Sequence, residues 1–169
     1  MKTICSIRKM QESDIQDLSR GFTSQGWPGR EEILTRYFKE QESGEREVLI
    51  ADLTSAVAGY ITILPIAKQG PFAEIYPELS DFNVFEPFQN QGIGNLLLKE
   101  AENRVKLVSD KVTLGVGLHS GYGAAQRLYI KRGYIPDGTG VWYRNQPLKM
   151  NATIQNNDDL VLYLSKELE

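Results

Sequence analysis

Val84-Phe85-Glu86-Pro87-Phe88-Gln89-Asn90-Gln91-Gly92-Ile93-Gly94 is the stretch on which the reading of this chain turns. The residues before it, Glu78 to Phe85, read as a strand. The residues after it carry a helical period, with Ile93, Leu97, Ala101 and Val105 recurring every fourth position. A strand, a tight glycine turn and a helix N-terminus together make an anion site. The first N–H groups of the helix have no intrahelical partner, and the macrodipole adds roughly half a positive charge. Glycine at 92 and 94 lets a phosphate approach the backbone without meeting a Cβ. No Gly-Lys-Ser/Thr follows, which removes a P-loop nucleotide site.

Outward from this stretch, the pattern predicts strand, two helices, three strands, helix, strand, helix, strands. Ile4 to Lys9 alternates as a first strand. Ser13 stands three residues before Gln16, the spacing of a capping box, and predicts a helix carrying Ile15 and Leu18 inward. Gly26-Trp27-Pro28-Gly29 is a turn. Arg30 to Gln41 puts Ile33, Leu34, Tyr37 and Phe38 on one helical face, with Gly44 as its stop. Glu47 to Asp52 and Ala56 to Pro65 form a hairpin, and Lys68 to Pro77, broken by Pro71 and Pro77, is an irregular excursion. Val112 to Leu118 is a strand, Ala124 to Arg132 a helix closed by Gly133, and Val141 to Arg144 and Leu160 to Ser165 are strands. The expected fold class is mixed α/β, a central sheet with helices on both faces, in a single domain over residues 1–169.

Composition narrows the function. At 169 residues and a net charge of −3, the chain suits one ordinary domain and offers no basic footprint for nucleic acid. One cysteine, Cys5, allows no internal disulfide, and a buried inert thiol is its expected state. One histidine, His119, leaves too few ligands for a zinc site, and no metal is expected. The opening residues, Met1 to Arg8, lack an apolar run of signal-peptide length, and no window nears the roughly 18 apolar residues of a membrane span. A cytoplasmic home without membrane contact is the expectation.

Two blocks of the sequence resemble the GNAT N-acetyltransferase superfamily. Gln89-Asn90-Gln91-Gly92-Ile93-Gly94 is similar to its Gln/Arg-x-x-Gly-x-Gly/Ala pyrophosphate motif, led in by Val84 to Pro87. Ala125-Gln126-Arg127-Leu128-Tyr129-Ile130-Lys131-Arg132-Gly133-Tyr134 is similar to its Ala-x-x-Leu-Tyr-x-x-x-Gly-Phe/Tyr helix. The blocks stand in the family's order, and the pattern from residue 4 to 165 follows its topology. The resemblance implies a mostly antiparallel sheet with a splayed parallel strand pair, and acetyl-CoA as co-substrate. It implies that the amides of Asn90, Gln91, Gly92, Ile93 and Gly94, with the Gln89 side chain, hold the CoA pyrophosphate. It also implies that the Val84 N–H polarises the thioester carbonyl.

Acetyl transfer to an amine needs a proton acceptor for the attacking nitrogen and a proton source for the departing thiolate. Tyr129 matches the family's tyrosine and is the candidate acid. Glu78 falls where the histone-acetylating members carry a glutamate base, and Asp81 on an acidic position common in small-amine members. Either is a candidate base, with a water relay as rival. Two positions depart from the family: Tyr122 replaces an asparagine that contacts the CoA arm, and His119-Ser120 replaces another. Tyr122 is therefore a candidate cofactor contact or a packing residue, and His119 a local hydrogen-bonding residue or a base. Trp27, Tyr37 and Phe38 fall where the family builds its acceptor site, as pocket wall or core. The leading acceptor is a primary amine of a small molecule, attacked directly in a ternary complex. A protein N-terminus or lysine is the second reading, a non-catalytic acyl-CoA sensor the third. Homodimers are common in the family.

Overall fold

A computed structural model describes residues 4–169. Of the opening run read for a leader segment, Met1 to Thr3 lie outside the described residues. The elements are β1 (Ser6–Lys9), α1 (Asp14–Ser24), α2 (Glu31–Ser43), β2 (Glu47–Asp52), β3 (Val57–Leu64), β4 (Glu78–Val84), α3 (Ile93–Lys106), β5 (Lys111–Gly117), α4 (Gly123–Lys131), β6 (Ile135–Tyr143), β7 (Gln146–Pro147) and β8 (Leu160–Glu167). The strands follow the order β1-β2-β3-β4-β5-β8-β6-β7 in one mixed, mostly antiparallel sheet. Its parallel pair is β4 with β5, in register at Glu78–Thr113 and Leu79–Leu114. The expected fold class stands.

The chain forms two compact units. Residues 4–65 and 80–104 make the first, and residues 66–79 and 105–169 the second. In the first, β2 is buried on both faces through Val48, Leu49, Ile50 and Ala51, which explains its unbroken apolar run. α1 and α2 direct Leu18, Phe22, Leu34 and Tyr37 into a cluster with Val48, Ile50, Tyr60 and Phe85, with Ile33 and Phe38 partly buried around it. The fourfold period of α3 is likewise internal: Ile93, Leu97, Ala101 and Val105 are all buried.

Helix α1 starts where the sequence predicted, but by another device. Ser13 has helical dihedrals and makes no capping hydrogen bond. Instead the buried Asp14 carboxylate accepts the Gln11 N–H at 2.7 Å and two guanidinium N–H bonds from Arg8. A charged acceptor binding a backbone donor satisfies the turn better than a neutral hydroxyl. Cys5 also differs from its expected state, since it precedes β1 and is half-buried. Burial, then the charge of Asp52, raises its thiol above the ordinary value, which keeps it protonated and a poor nucleophile.

In the second unit β5 and β8 pair over seven residues, and β8 pairs onward with β6. β6 is longer than the predicted Val141 to Arg144. It begins at Ile135 but loses register between Pro136 and Val141, where Gly138 and Gly140 take positive φ. The Tyr163 ring on β8 stacks edge-on against Trp142 at 5.7 Å. It is also pressed by backbone: a Cβ built on Gly70 would stand 2.4 Å from the ring, and one on Gly115 3.2 Å. Gly70 further donates its N–H to Asn145 Oδ1 at 2.7 Å.

Candidate active site

The first unit carries Asp81, Val84 and the glycine turn. β4 ends at Val84, whose carbonyl accepts a hydrogen bond from Gln89 Nε2 at 2.9 Å. A short 3-10 turn over Glu86–Phe88 leads to Gln89, and Gln91 Nε2 donates to Pro87 O at 3.1 Å. Asn90 (φ 60°) and Gly92 (φ 82°) are both left-handed, which folds the backbone into a tight concave turn. Gln89 to Gly92 are exposed, and a Cβ at Gly92 would meet nothing within 4 Å, so the turn's outer surface is open. α3 starts at Ile93 with no acidic residue in its first turn. A 14-residue helix with an exposed, unopposed N-terminus behind a left-handed turn fits a diphosphate.

Asp81 is the other centre of this unit. It sits inside β4 at φ 50°, a conformation that a strand residue rarely adopts. Five hydrogen bonds hold it. Arg30 gives two, from Nη1 at 3.3 Å and Nη2 at 2.8 Å. The Tyr37 and Tyr60 hydroxyls each donate at 2.9 Å, and Asn83 Nδ2 at 2.8 Å. The Tyr60 hydroxyl in turn accepts from Arg30 Nη1 at 2.6 Å and from Asn83 Nδ2 at 3.2 Å. Burial, reinforced by the Asp81 charge, pushes the Tyr37 phenol up to about 12 and the Tyr60 phenol higher still. For Arg30, burial alone would lower the pKa, but the hydrogen bond and charge of Asp81 and its phenolic neighbours raise it.

A cavity of about 490 Å³ in the same unit lies along α1 and the β2–β3 turn, above Phe85 and Phe88. Of its two arginines, Arg8 is held by Asp14 and Asp52, and Arg20 reaches Asp17 at 3.4 Å. Trp27, on the α1–α2 turn, is 61 % exposed, whereas Tyr37 is core and Phe38 partly buried.

The second unit carries Glu78, Tyr122 and Tyr129. Glu78 begins β4, half-buried, and its charge adds to burial in raising the Tyr163 phenol. Tyr129 is buried in α4, its ring 5.9 Å from that of Tyr134. Burial, then the field of Tyr122, raises its hydroxyl well above the ordinary phenol and keeps it protonated at neutral pH. The Tyr122 hydroxyl donates to Asp158 Oδ1 at 3.1 Å, and its ring lies 4.6 Å from that of His119. His119 Nδ1 accepts the Gly121 N–H at 3.0 Å, while Nε2 meets Asp158 Oδ1 at 2.7 Å. This network assigns the proton to Nε2 and leaves no vacant basic nitrogen, so His119 is a local hydrogen-bonding residue. Among the described residues no three His, Cys, Asp or Glu side chains group to hold a metal ion, and no helix is long and apolar enough to cross a membrane.

Sequence reasoning missed Arg30, Tyr60 and Asn83. The positive φ of Arg30 and its distance of 51 residues from Asp81 carry no local signature. Asp81 and Tyr37, singled out separately, prove to be direct partners.

The model of the acetyltransferase (GNAT) family matches residues 13–134. No curated protein matches the chain by sequence. Solved structures do. A GNAT-family protein from Desulfovibrio desulfuricans superposes with a TM-score of 0.74 at 17 % identity, covering 97 % of this chain and 99 % of that one. The ribosomal-protein-alanine N-acetyltransferase of Brucella melitensis gives 0.69 at 21 %, over 96 % and 99 % of the two chains. A GNAT family acetyltransferase from Elizabethkingia anophelis with acetyl-CoA bound gives 0.62 at 21 %, over 97 % and 98 %. At such identities the superpositions establish the fold, while the family match spans well over half of the sequence. The chain belongs to the GNAT acetyltransferase family and is an N-acetyltransferase.

Proposed function

We propose that this N-acetyltransferase moves an acetyl group from acetyl-CoA to a primary amine of a small molecule, by direct attack in a ternary complex, and that residues 1–169 act as one transferase domain. The observation that carries the cofactor half of this reading is the exposed left-handed turn Asn90–Gly92 at the unopposed N-terminus of α3. The amides of Asn90 to Gly94 hold the pyrophosphate, Gln89 braces the Val84 carbonyl, and the Val84 N–H stabilises the charge that develops on the thioester oxygen.

Glu78, half-buried at the start of β4, is the base on this reading; Asp81 instead accepts five hydrogen bonds, two of them from Arg30. Glu78 takes the proton released as the amine nitrogen bonds to the acetyl carbon. Tyr129 gives its proton to the thiolate that leaves as the carbon–sulfur bond breaks. Tyr122 supports the CoA arm with its ring, since its hydroxyl is bound to Asp158. Cys5 takes no part, its thiol being held protonated.

Calorimetry with acetyl-CoA, followed by thiol release with a panel of small amines and N-terminal peptides, tests this reading. Wild type binds and releases thiol with small amines. Gly92→Asp puts a side chain on a left-handed residue and a negative charge beside the pyrophosphate, and loses at least about tenfold in affinity. Faster release with peptides shifts the acceptor to protein amines. Binding without release from any acceptor makes the chain a sensor.

A further inference from the structure

Arg30 has hydrogen-bonding capacity that its own network does not use. A guanidinium offers five N–H donors in a fixed plane. Three are taken: Nη1 serves Tyr60 and Asp81 Oδ1, and Nη2 serves Asp81 Oδ2. The remaining pair, Nε–H and the second Nη2–H, point from the same edge of the plane and meet no acceptor among the described residues. That edge is the one suited to a bidentate carboxylate. The side chain is 24 % exposed, and its Nε, which has no partner, is not a fully buried atom.

The group is also fixed before any ligand arrives. Asp81 grips its end, and the ring of Phe22 lies 5.1 Å beneath the guanidinium carbon. Phe22 is itself held edge-on by Tyr60 and Phe85. A donor pair held this way loses little entropy on binding. The neighbouring acid Glu31 is engaged with the Ser19 hydroxyl at 3.3 Å. Asp81 already offsets the charge of Arg30, so the free edge suits a monoanion better than a doubly charged phosphate. Asp81 lies three residues before Val84 on the same strand, about 10 Å of extended chain.

We propose that the free edge of Arg30 binds a carboxylate on the acceptor, making the substrate an amine that also carries a carboxylate group. This rests on the transferase reading above. It makes Arg30 a specificity residue that acts on acceptor affinity and leaves the CoA turn untouched.

The test uses matched acceptors: α- and ω-amino acids of increasing length, each with its carboxamide and its decarboxylated amine. Wild type should favour the acids by about 10- to 100-fold in kcat/KM, the worth of a charge-assisted bidentate pair. Arg30→Lys, checked for folding by thermal melting, should raise the acceptor KM about tenfold or more. It should change kcat by less than about threefold, leave acetyl-CoA affinity unchanged and shrink the preference for acids. Acids and amides acetylated equally well by wild type would overturn the proposal, as would no turnover of any acid by a protein that binds acetyl-CoA. The comparison of acids with amides in wild type needs no variant, so it decides the matter even if Arg30→Lys does not fold. Failure to bind acetyl-CoA would instead overturn the cofactor reading beneath it.

Discussion

Two carboxylates in this molecule have similar partners and opposite surroundings. Asp81, in the first unit, binds a guanidinium and two phenols with its side chain 16 % exposed. Asp158, in the second, binds an imidazole and one phenol with its side chain 77 % exposed. Each pairs a nitrogen cation or ring with phenol, although Asp81 accepts five side-chain hydrogen bonds and Asp158 two. Exposure separates them, because water competes for every partner of Asp158, while the partners of Asp81 have few alternatives. A buried network therefore fixes geometry, and an exposed one merely accompanies it.

The largest effect is expected at Asp81 itself. Asp81→Asn keeps a residue that tolerates left-handed φ but removes the charge that balances Arg30. We expect a loss of about 3 kcal/mol in unfolding free energy, read by urea denaturation, the lower end for breaking a buried ion pair because Arg30 is partly exposed. A loss below about 1 kcal/mol would place Asp81 with Asp158. Tyr60→Phe should follow at about 1–3 kcal/mol, since it strips the acceptor from both Arg30 Nη1 and Asn83 Nδ2.

Alkaline pH probes the same network without removing Asp81. The Tyr37 phenol, raised to about 12 in the folded protein, ordinarily titrates near 10. Because the folded value is the higher, its stabilising contribution is complete below about pH 10 and is lost as pH rises through about 12. Wild type should therefore lose stability between these limits more steeply than Tyr37→Phe, measured by denaturant midpoints at stepped pH. The smallest effect belongs to Asp158→Asn, at most about 0.5 kcal/mol. His119 and Tyr122 hold the Asp158 carboxyl below its usual range, so its contribution is present above about pH 4 and fades as pH falls through the folded value. A larger loss would mean that the exposed cluster positions α4.

The element order was legible because it rests on local chemistry: apolar period in α3, glycine stops at Gly44 and Gly133, β-branched runs in β2 and β3. The glycine turn was legible for the same reason. What the sequence hid was long-range or conformational. Asp81 reads as a free acid on a strand until its φ and its tie to Arg30 are seen, and Ser13 reads as a cap until Asp14 is seen to bind Gln11 and Arg8. β6 looked short because Gly138 and Gly140 interrupt its alternation.

The clamp on Tyr163 bears on how this protein can change over generations. Gly70 anchors the excursion between β3 and β4 by contributing bare backbone to the face of a ring, and Gly115 receives that same ring on β5. The excursion is thus seated by what residue 70 lacks. Its exposed side chains, Glu74 and Ile75 among them, are freer to drift, whereas any replacement at 70 must also overcome a left-handed φ of 75°. Lineages should reshape the chemistry of this surface freely while Gly70, Gly115 and Tyr163 change only together.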